Sequence, residues 1–317
     1  MSRRKLKKKA AAMPNLPEEI QLEIFARLPV KSLSRFLCVS KSLSTVIASS
    51  EFTNMHLNNM KSNPSILYHS SMEKICSIDY KSISSLFPLS KSSSVHHYSK
   101  FTNQMRYPSI PVRYLFESLC SCDGWLCIRT NVQNERRICF WNPLTNEQKR
   151  IPGSDIQYDN TRVGVAYGLG YDCKIGNYKL ARIVSSDIPF GQRHSKVDVY
   201  TLGSNEWKSI HQNIPYYEFT VSEANEGVHL NGAIHWLART IGEQFRSSKV
   251  LVSFDISNEI LKEVALPEES IPDRRSTYKY NQWCQLDVEV LGGCLCLISH
   301  VSRVRVDVWV MMLVIED

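Results

Sequence analysis

The sequence predicts an α+β protein of several domains, with a small three-helix module at the front and an all-β, propeller-like repeat domain behind it. Two observations support this prediction. Apolar residues recur at helical spacing over residues 16–48, which is typical of amphipathic helices. After them, short β-branched and aromatic runs alternate with turn residues and repeat about every fifty residues, which is typical of arrays of small sheets.

The first helix of the front module has a proline at each end. Pro17 suits a first helical position, where its missing N–H would have had no partner, and Pro29 ends the helix. Between the two prolines, Ile20, Ile24 and Leu28 recur every four residues and form one apolar stripe.

Two shorter helices follow the first one. The second carries Leu33, Phe36 and Leu37, and the third starts near Ser40 and buries Leu43, Val46 and Ile47. Three short helices make only a small core. Because apolar residues lie on more than one side of them, we expect part of the module to dock against helices of another protein. The alternative is that the stripe packs against the rest of this chain.

Three segments of the rear domain share one plan: an apolar and aromatic strand, a polar turn containing Asn-Glu, and a second strand. They are FWNPLTNEQKRIP (140–152), VYTLGSNEWKSI (199–210) and VSFDISNEILKEVALP (252–267). One aromatic residue per repeat aligns across five copies, namely Tyr80, Trp141, Tyr200, Phe254 and Trp309. This period predicts a propeller-like array, in which each sheet buries its faces against its neighbours. A β-sandwich is the alternative, because repeated hairpins alone do not determine closure.

The segment LPEEIQLEIFARLPVKSLSRFLCVSKSLSTVIASSEF (16–52) resembles an F-box through its two Leu-Pro pairs and its VKSL and CVSKS runs. The resemblance implies binding to a Skp-type adaptor, which joins the protein to a cullin–RING ubiquitin ligase. The adaptor-binding residues that it implies are Leu16, Pro17, Ile20, Ile24, Leu28, Pro29, Leu33, Val39 and Leu43. Plant members usually carry Trp where this chain has Leu43, and the smaller side chain buries less apolar area, so we expect weaker adaptor binding.

The rear domain is similar to the plant F-box-associated domain found in S-locus-type and kelch-like F-box proteins. The matching stretches include DGWLC (123–127), VDVYTLGSNEW (197–207) and LNGAIHWL (230–237). The resemblance implies a domain that binds a substrate protein and presents it for ubiquitination and proteasomal degradation, without chemistry of its own. The predicted domains are a basic disordered tail (1–13), the F-box (14–58) and the F-box-associated domain (59–317).

The end of the sequence departs from the family pattern. Family members usually continue well past the Asp-Val-Trp-Val-Met motif, whereas here only MLVIED follows Met311. We therefore expect an incomplete last repeat with an open sheet edge and, in a shortened variant, impaired substrate binding. A propeller-like binding protein that acts outside a ligase is the alternative function.

Propellers commonly bind partners through loops on one rim, so the substrate site is expected in the longer loops between repeats. Aromatic and arginine side chains dominate the binding energy of such surfaces. The candidate substrate-binding residues are Tyr216, Tyr217, Phe219, Arg274, Arg275, Tyr278, Tyr280 and Trp283. The alternative is that most of these rings belong to the core or to ordinary loops.

No catalytic motif is found. The sequence has no Gly-x-Ser-x-Gly, no phosphate-binding glycine loop and no His-Glu-x-x-His. Its ten cysteines form no Cys-x-x-Cys pair, so buried reduced thiols are expected rather than a metal site, and no cofactor is expected. His235 lies beside Trp236 in a strand and is interpreted as a structural residue.

The net charge of +7 is concentrated in the tail, because six basic residues and no acidic ones stand before Pro14. The rest of the chain is close to neutral, so direct nucleic-acid binding is not expected. The candidate nuclear-import residues are Arg3, Arg4, Lys5, Lys7, Lys8 and Lys9; a solvated tail is the alternative. No apolar run is long enough to span a membrane, and we expect a location in the nucleus, the cytoplasm or both.

Overall fold

The structure is a computed structural model that describes most of the chain between residues 16 and 311. The described residues are 16–47, 49–61, 65–70, 74–79, 103–104, 116–132, 135–143, 145, 147–152, 162–187, 194–212, 214–219, 226–241, 247–264, 266, 284–301 and 305–311. The basic tail therefore lies outside the described residues. The chain divides into two compact units, Met1–Arg106 and Tyr107–Asp317, which are described separately.

The first unit opens with four helices. They are α1 (Glu18–Ala26), α2 (Val30–Phe36), α3 (Lys41–Ile47) and α4 (Ser50–Lys61). The three predicted helices are confirmed, including the start of α3, where the Leu43 backbone N–H donates to Ser40 Oγ at 3.2 Å as in an N-cap. Helix α4 is additional, and Ser49 caps it by accepting a hydrogen bond from the Phe52 N–H at 3.2 Å.

The core of the helical module is small and draws on all four helices. It consists of Ala26, Leu33, Ile47 and Phe52. After the helices in sequence, β1 (Ser65–Ser70), β2 (Lys74–Asp79) and β3 (Asn103–Gln104) form a three-stranded antiparallel sheet.

The described strands of the second unit form a four-stranded, a nine-stranded and a three-stranded sheet. The nine-stranded sheet consists of two antiparallel halves joined by one parallel strand pair, and we describe these halves as separate sheets II and III. Sheet I contains β4 (Phe116–Cys122), β5 (Trp125–Val132), β6 (Glu135–Asn142) and β7 (Glu147–Arg150); sheet II contains β8 (Arg162–Asp172), β9 (Asn177–Asp187), β10 (His194–Thr201) and β11 (Glu206–Ile210). Sheet III contains β13 (Glu226–Leu230), β14 (Ala233–Ile241), β15 (Ser247–Asp255) and β16 (Ile260–Val264), with β12 (Tyr217–Glu218) added beside β14. Sheet IV contains β17 (Cys284–Leu291), β18 (Cys294–Val301) and β19 (Arg305–Met311).

The four sheets stack in chain order, and a separate core fills each interface. Phe140 of sheet I packs with Leu180 of sheet II, Val199 of sheet II packs with Phe254 of sheet III, and sheets III and IV enclose the third core. Each inner sheet therefore buries both faces, as the blades of a propeller do. This serial stacking confirms the propeller-like prediction and excludes the two-sheet sandwich.

The aligned aromatic residues occupy equivalent places in the repeat. Trp141, Tyr200 and Phe254 lie on the third strand of sheets I, II and III, and each is 0% exposed. Trp309 lies on the third strand of sheet IV and packs against the third core. Tyr80 lies outside the described residues.

The turns of sheets II and III show how the repeats superimpose. In each, a residue with positive φ donates its backbone N–H to the carbonyl four residues earlier: Asn205 (φ 62°) to Thr201 and Glu259 (φ 57°) to Asp255, both at 2.9 Å. Asn205 is thus equivalent to Glu259, one residue away from the alignment that the Asn-Glu pairs suggest. The aromatic alignment gives the correct register.

Trp236 joins sheets II and III at the point where β8 and β13 pair in parallel. Its indole Nε1–H donates to the carbonyl of Tyr167 at 3.0 Å. The ring lies over Gly168 and Gly227, which face each other in the pairing register. A Cβ on either glycine would lie 2.6 Å from a ring carbon of Trp236, so only glycine lets the two backbones approach beneath this ring.

Sheet IV has three strands in the described part of the chain, whereas sheets I and II have four each and sheet III has four plus the short β12. On β19 the side chains alternate: Trp309 and Met311 face the third core, while Val306, Val308 and Val310 are 56%, 48% and 60% exposed.

Candidate partner-binding surfaces

The outer side of α1 carries apolar residues that the module does not bury. Leu16, Ile20 and Ile24 are 52%, 47% and 46% exposed, whereas Leu22 and Phe25 on the other side of the same helix pack against the core. Ile20 and Ile24 of the predicted stripe therefore face outward, whereas its third member, Leu28, is half-buried against the core.

A second group of exposed apolar residues lies where α2 ends. Leu37 is 40% exposed and Val39 is 68% exposed. Leu37, which the sequence places on the second helix, is not among the predicted contact residues. The helix ends at Phe36, and Leu37 turns away from the core at that point. We call Leu16, Ile20, Ile24, Leu37 and Val39 the exposed apolar set.

The remaining predicted adaptor-binding residues differ in burial. Pro17 and Pro29 are exposed, and Leu28 and Leu43 are half-buried. Leu33 is 5% exposed and forms part of the module core. A direct contact between Leu33 and an adaptor does not fit this structure, since α2 turns that side chain inward onto Ala26 and Phe52. Leu33 is therefore a core residue that supports the exposed set from beneath.

The structure also separates the candidate substrate-binding residues. Tyr217 is 1% exposed and Phe219 is 5% exposed, and both belong to the second core. The Tyr217 hydroxyl donates to Glu263 at 3.1 Å, and its backbone N–H donates to Ser195 Oγ at 2.9 Å. An exposed contact role is thus wrong for these two rings, which pack in the core because β12 adds to sheet III. Arg274, Arg275, Tyr278, Tyr280 and Trp283 lie outside the described residues.

Tyr216 keeps a position from which it could contact a partner. It is half-buried and lies in the segment that leaves the end of β11. The tight turns of sheets II and III lie on the opposite rim, where Lys174 Nζ donates to Asn258 Oδ1 at 2.8 Å. Tyr216 is therefore on the rim that carries the connections between sheets, as expected for a substrate contact, and that role stays a prediction.

A buried ionic network fixes the rim of tight turns. Lys179 Nζ lies 2.8 Å from Asp172 and 2.9 Å from Glu259, and Glu259 also meets Lys208 at 2.6 Å. Burial alone would raise the pKa of Asp172, but hydrogen bonds from Lys179 and Ser257 outweigh it and hold that pKa below its usual value. The network links sheet II to sheet III and presents a rigid surface.

The second unit contains a cavity of about 250 Å³ between β4, β13, β14 and β17. Its lining includes Ser121, Glu226, His229, Asp287 and Glu289. Burial and the neighbouring carboxylates raise the pKa of Glu226, and burial and Asp287 raise the pKa of Glu289. In the described part of the chain no three His, Cys, Asp or Glu side chains are arranged to hold a metal ion.

Several histidine and cysteine side chains of the second unit are buried, whereas others, such as Cys173 and Cys294, are exposed. His235 is 3% exposed, and burial, with the neighbouring His229, lowers its pKa to about 4. Cys122 Sγ lies 3.5 Å from His229 Nδ1, but this thiol is 7% exposed and packs in the first core. The eight cysteines whose side chains the structure describes have free thiols. His235 and the buried Cys120, Cys122 and Cys127 are packed as structural residues.

Comparison with known protein families identifies both the helical module and the β-sheet domain. The F-box domain matches residues 13–55, and the F-box associated beta propeller domain matches residues 65–317. The chain therefore belongs to the F-box proteins that carry an F-box associated β-propeller domain.

Curated relatives from Arabidopsis thaliana extend over almost the whole chain. The F-box/kelch-repeat protein At3g23880 is 27% identical over 94% of this chain and 75% of its own length. The F-box protein CPR1 is 28% identical over 94% of this chain and 70% of its own length. The F-box protein At3g57590 is 30% identical over 79% of this chain and 57% of its own length.

Among the described residues, none of the helices combines the length and the hydropathy that a membrane crossing requires.

Proposed function

We propose that this protein is the substrate-recognition subunit of an SCF-type ubiquitin ligase. Its F-box binds a Skp-type adaptor and, through it, a cullin–RING ligase, and its β-repeat domain binds a target protein that is ubiquitinated and then degraded by the proteasome. The observation that carries the proposal is the exposed apolar set. Five large apolar side chains, each 40–68% exposed, lie on a module whose own core has four buried residues.

The energetics of the exposed set favour a protein partner. Full burial of a Leu, Ile or Val side chain contributes about 1.5–3 kcal/mol. Because these side chains are about half exposed in the free module, roughly half of that free energy is still available for binding. Covering five of them supplies several kcal/mol, which must exceed the cost of association. An adaptor with a complementary apolar groove provides that cover.

The proposed mechanism is proximity. The F-box fixes the chain to the ligase while the β-repeat domain holds the target near the ubiquitin-loading enzyme, which raises the effective concentration of the reacting groups. The rigid, stacked sheets suit this role because they present loops at defined positions. No residue of the chain acts chemically in this mechanism.

Co-purification under proteasome inhibition tests the proposal. Tagged wild type and Ile20→Asp should both retain target proteins, but only the wild type should retain the adaptor and cullin. Ile175→Asp is the matched control, since Ile175 is 54% exposed in a turn of sheet II. If the wild type captures targets but no adaptor, the protein is a binding module that acts outside a ligase. Equal adaptor capture by Ile20→Asp would contradict the proposed surface.

We further propose that the basic tail directs part of the protein to the nucleus, with the remainder in the cytoplasm. Its six basic residues precede a nearly neutral body, and such clusters are typical of import signals. Deleting residues 2–9 should move a fluorescent fusion towards the cytoplasm. An unchanged distribution would mean that these charges serve only as a solvated tail.

A further inference from the structure

Helix α4 has a buried histidine that is bonded to the turn between α1 and α2. His56 is 7% exposed, and its Nε2 lies 2.9 Å from the carbonyl oxygen of Leu28. Because a carbonyl can only accept, Nε2 carries the proton and donates it. The ring also stacks on Phe52, with centroids 6.2 Å apart and planes 23° apart, so packing holds it in the donating orientation.

The carbonyl that His56 reaches lies in the turn just after α1, two residues beyond Ala26, next to a helix end that also needs partners. The last carbonyls of a helix lack intrahelical donors. After α1, Arg27 N–H and Leu28 N–H donate to Ile24 and Phe25 at 3.2 and 2.9 Å, which tightens the final turn. Asn59, one turn after His56, donates to the Ala26 carbonyl at 3.5 Å. Helix α4 thus satisfies one carbonyl at the end of α1, that of Ala26, and one in the following turn, that of Leu28.

The turn after α1 sets the relative placement of the exposed apolar set. Leu16, Ile20 and Ile24 lie before it, and Leu37 and Val39 lie after α2. Pro29 fixes the other side of the turn, because its carbonyl accepts from Ser32 and Leu33 at 2.8 and 3.2 Å. The Pro29 carbonyl is bonded to α2 and the Leu28 carbonyl to α4, so hydrogen bonds restrain both residues of the turn. A partner that contacts both groups requires one arrangement of the turn.

We propose that His56 is a positioning residue for adaptor binding: its hydrogen bond to the Leu28 carbonyl holds the α1–α2 turn in the binding-competent geometry. This inference rests on the proposed function. His56 is buried and does not touch the adaptor, so it acts on the fraction of free molecules that are competent. Loss of the bond lowers that fraction, and the apparent affinity falls by the same factor.

The test measures association and dissociation rates of the full chain with a recombinant Skp-type adaptor. A buried acceptor left without its donor is unfavourable, so we expect His56→Leu to slow association about tenfold and to leave the dissociation rate unchanged. His56→Gln should restore the rate, because its amide N–H can donate from nearly the place of Nε2. Ile24→Ala, which shortens a side chain proposed to contact the adaptor, should instead raise the dissociation rate.

A matched control separates positioning from general stability. Met55 is on the same helix and packs against the same core, without a bond to the turn in the described structure. Met55→Ala should lower the thermal midpoint at least as much as His56→Leu, yet keep the wild-type association rate at a temperature where both variants are folded. If Met55→Ala and His56→Leu slow association equally, or if His56→Leu binds like the wild type, the inference is wrong. If the wild type does not bind, the proposed function fails first and the inference with it.

Discussion

The helical module and the stacked sheets use apolar residues in opposite ways. In the sheets, Tyr200 and Phe254 are 0% exposed, because the faces that carry them meet a neighbouring sheet. In the module, Ile20 and Ile24 are 47% and 46% exposed, because four short helices enclose only a small core. The stacked faces of the sheets thus bury their apolar residues within one chain. The helices, in contrast, leave an apolar surface that a second protein can cover.

The largest expected effect breaks a sheet interface. Trp236→Ala removes a buried ring and its hydrogen bond to Tyr167, and large-to-small changes of this kind cost about 3–5 kcal/mol. Chemical denaturation measures the loss. Ile175→Ala, on an exposed turn, should change the free energy of unfolding by no more than about 0.5 kcal/mol. Similar losses for the two variants would show that the sheets are not packed as described.

The ionic network should have the next largest effect. Lys179→Met leaves Asp172, which is 1% exposed, without its buried cation, and breaking such a pair costs about 3 kcal/mol. Lys208→Met removes the outer cation of the same network, whose side chain is 70% exposed, and should cost at most about 1 kcal/mol. Unfolding free energies at neutral pH compare the two. Equal costs would mean that Lys179 is as well solvated as Lys208.

His235 should make the sheets sensitive to acid. Its pKa is about 4 in the fold against 6.5 ordinarily, so between these values the unfolded chain takes up a proton that the folded chain does not. Stability is therefore lost as pH falls from 6.5 to 4, by about 3 kcal/mol at most. The difference between the wild type and His235→Gln isolates this loss, since the opposite contributions of Glu226 and Glu289, with raised pKa values, cancel in the difference. A pH-independent difference would contradict the burial of His235.

The smallest expected effect is on the helical module. Ser40→Ala removes the side chain that caps α3, which costs about 1 kcal/mol. Ser44→Ala within the same helix is the control and should be neutral or slightly favourable, because Ala is the best helix former. The thermal midpoint of the helical transition, followed by circular dichroism, measures both. An unchanged midpoint for Ser40→Ala would mean that the cap does not form.

The periodic spacing of apolar and aromatic residues correctly predicted the order of the sheets and the first helix. The spacing of Trp141, Tyr200 and Phe254 gave the order and register of the sheets, because each repeat must bury the same position. Proline and the apolar stripe gave α1. Helix α4 could have been found from Ser49 followed by Phe52, Met55 and His56 at helical spacing, but its polar residues obscure that pattern.

Burial on loops could not be predicted in the same way. Tyr217 and Phe219 lie in a connection and have the composition of a contact surface, yet pairing of β12 with β14 draws both rings into the core. Leu33 and Leu37 share a spacing of four, yet the end of α2 separates their environments. Whether such side chains are buried depends on the exact residue at which a helix or strand ends. These end points are difficult to predict from a single sequence.

The most direct test of the account compares the folding and the adaptor binding of one variant, Ile24→Asp. Ile24 is outside the module core, so the account predicts that the free energy of unfolding changes by less than about 1 kcal/mol. A carboxylate in an apolar interface should weaken the affinity for a Skp-type adaptor by more than about a hundredfold. Leu28→Asp is less suitable, since Leu28 also packs against the core. A folded Ile24→Asp variant that binds the adaptor like the wild type would contradict the account.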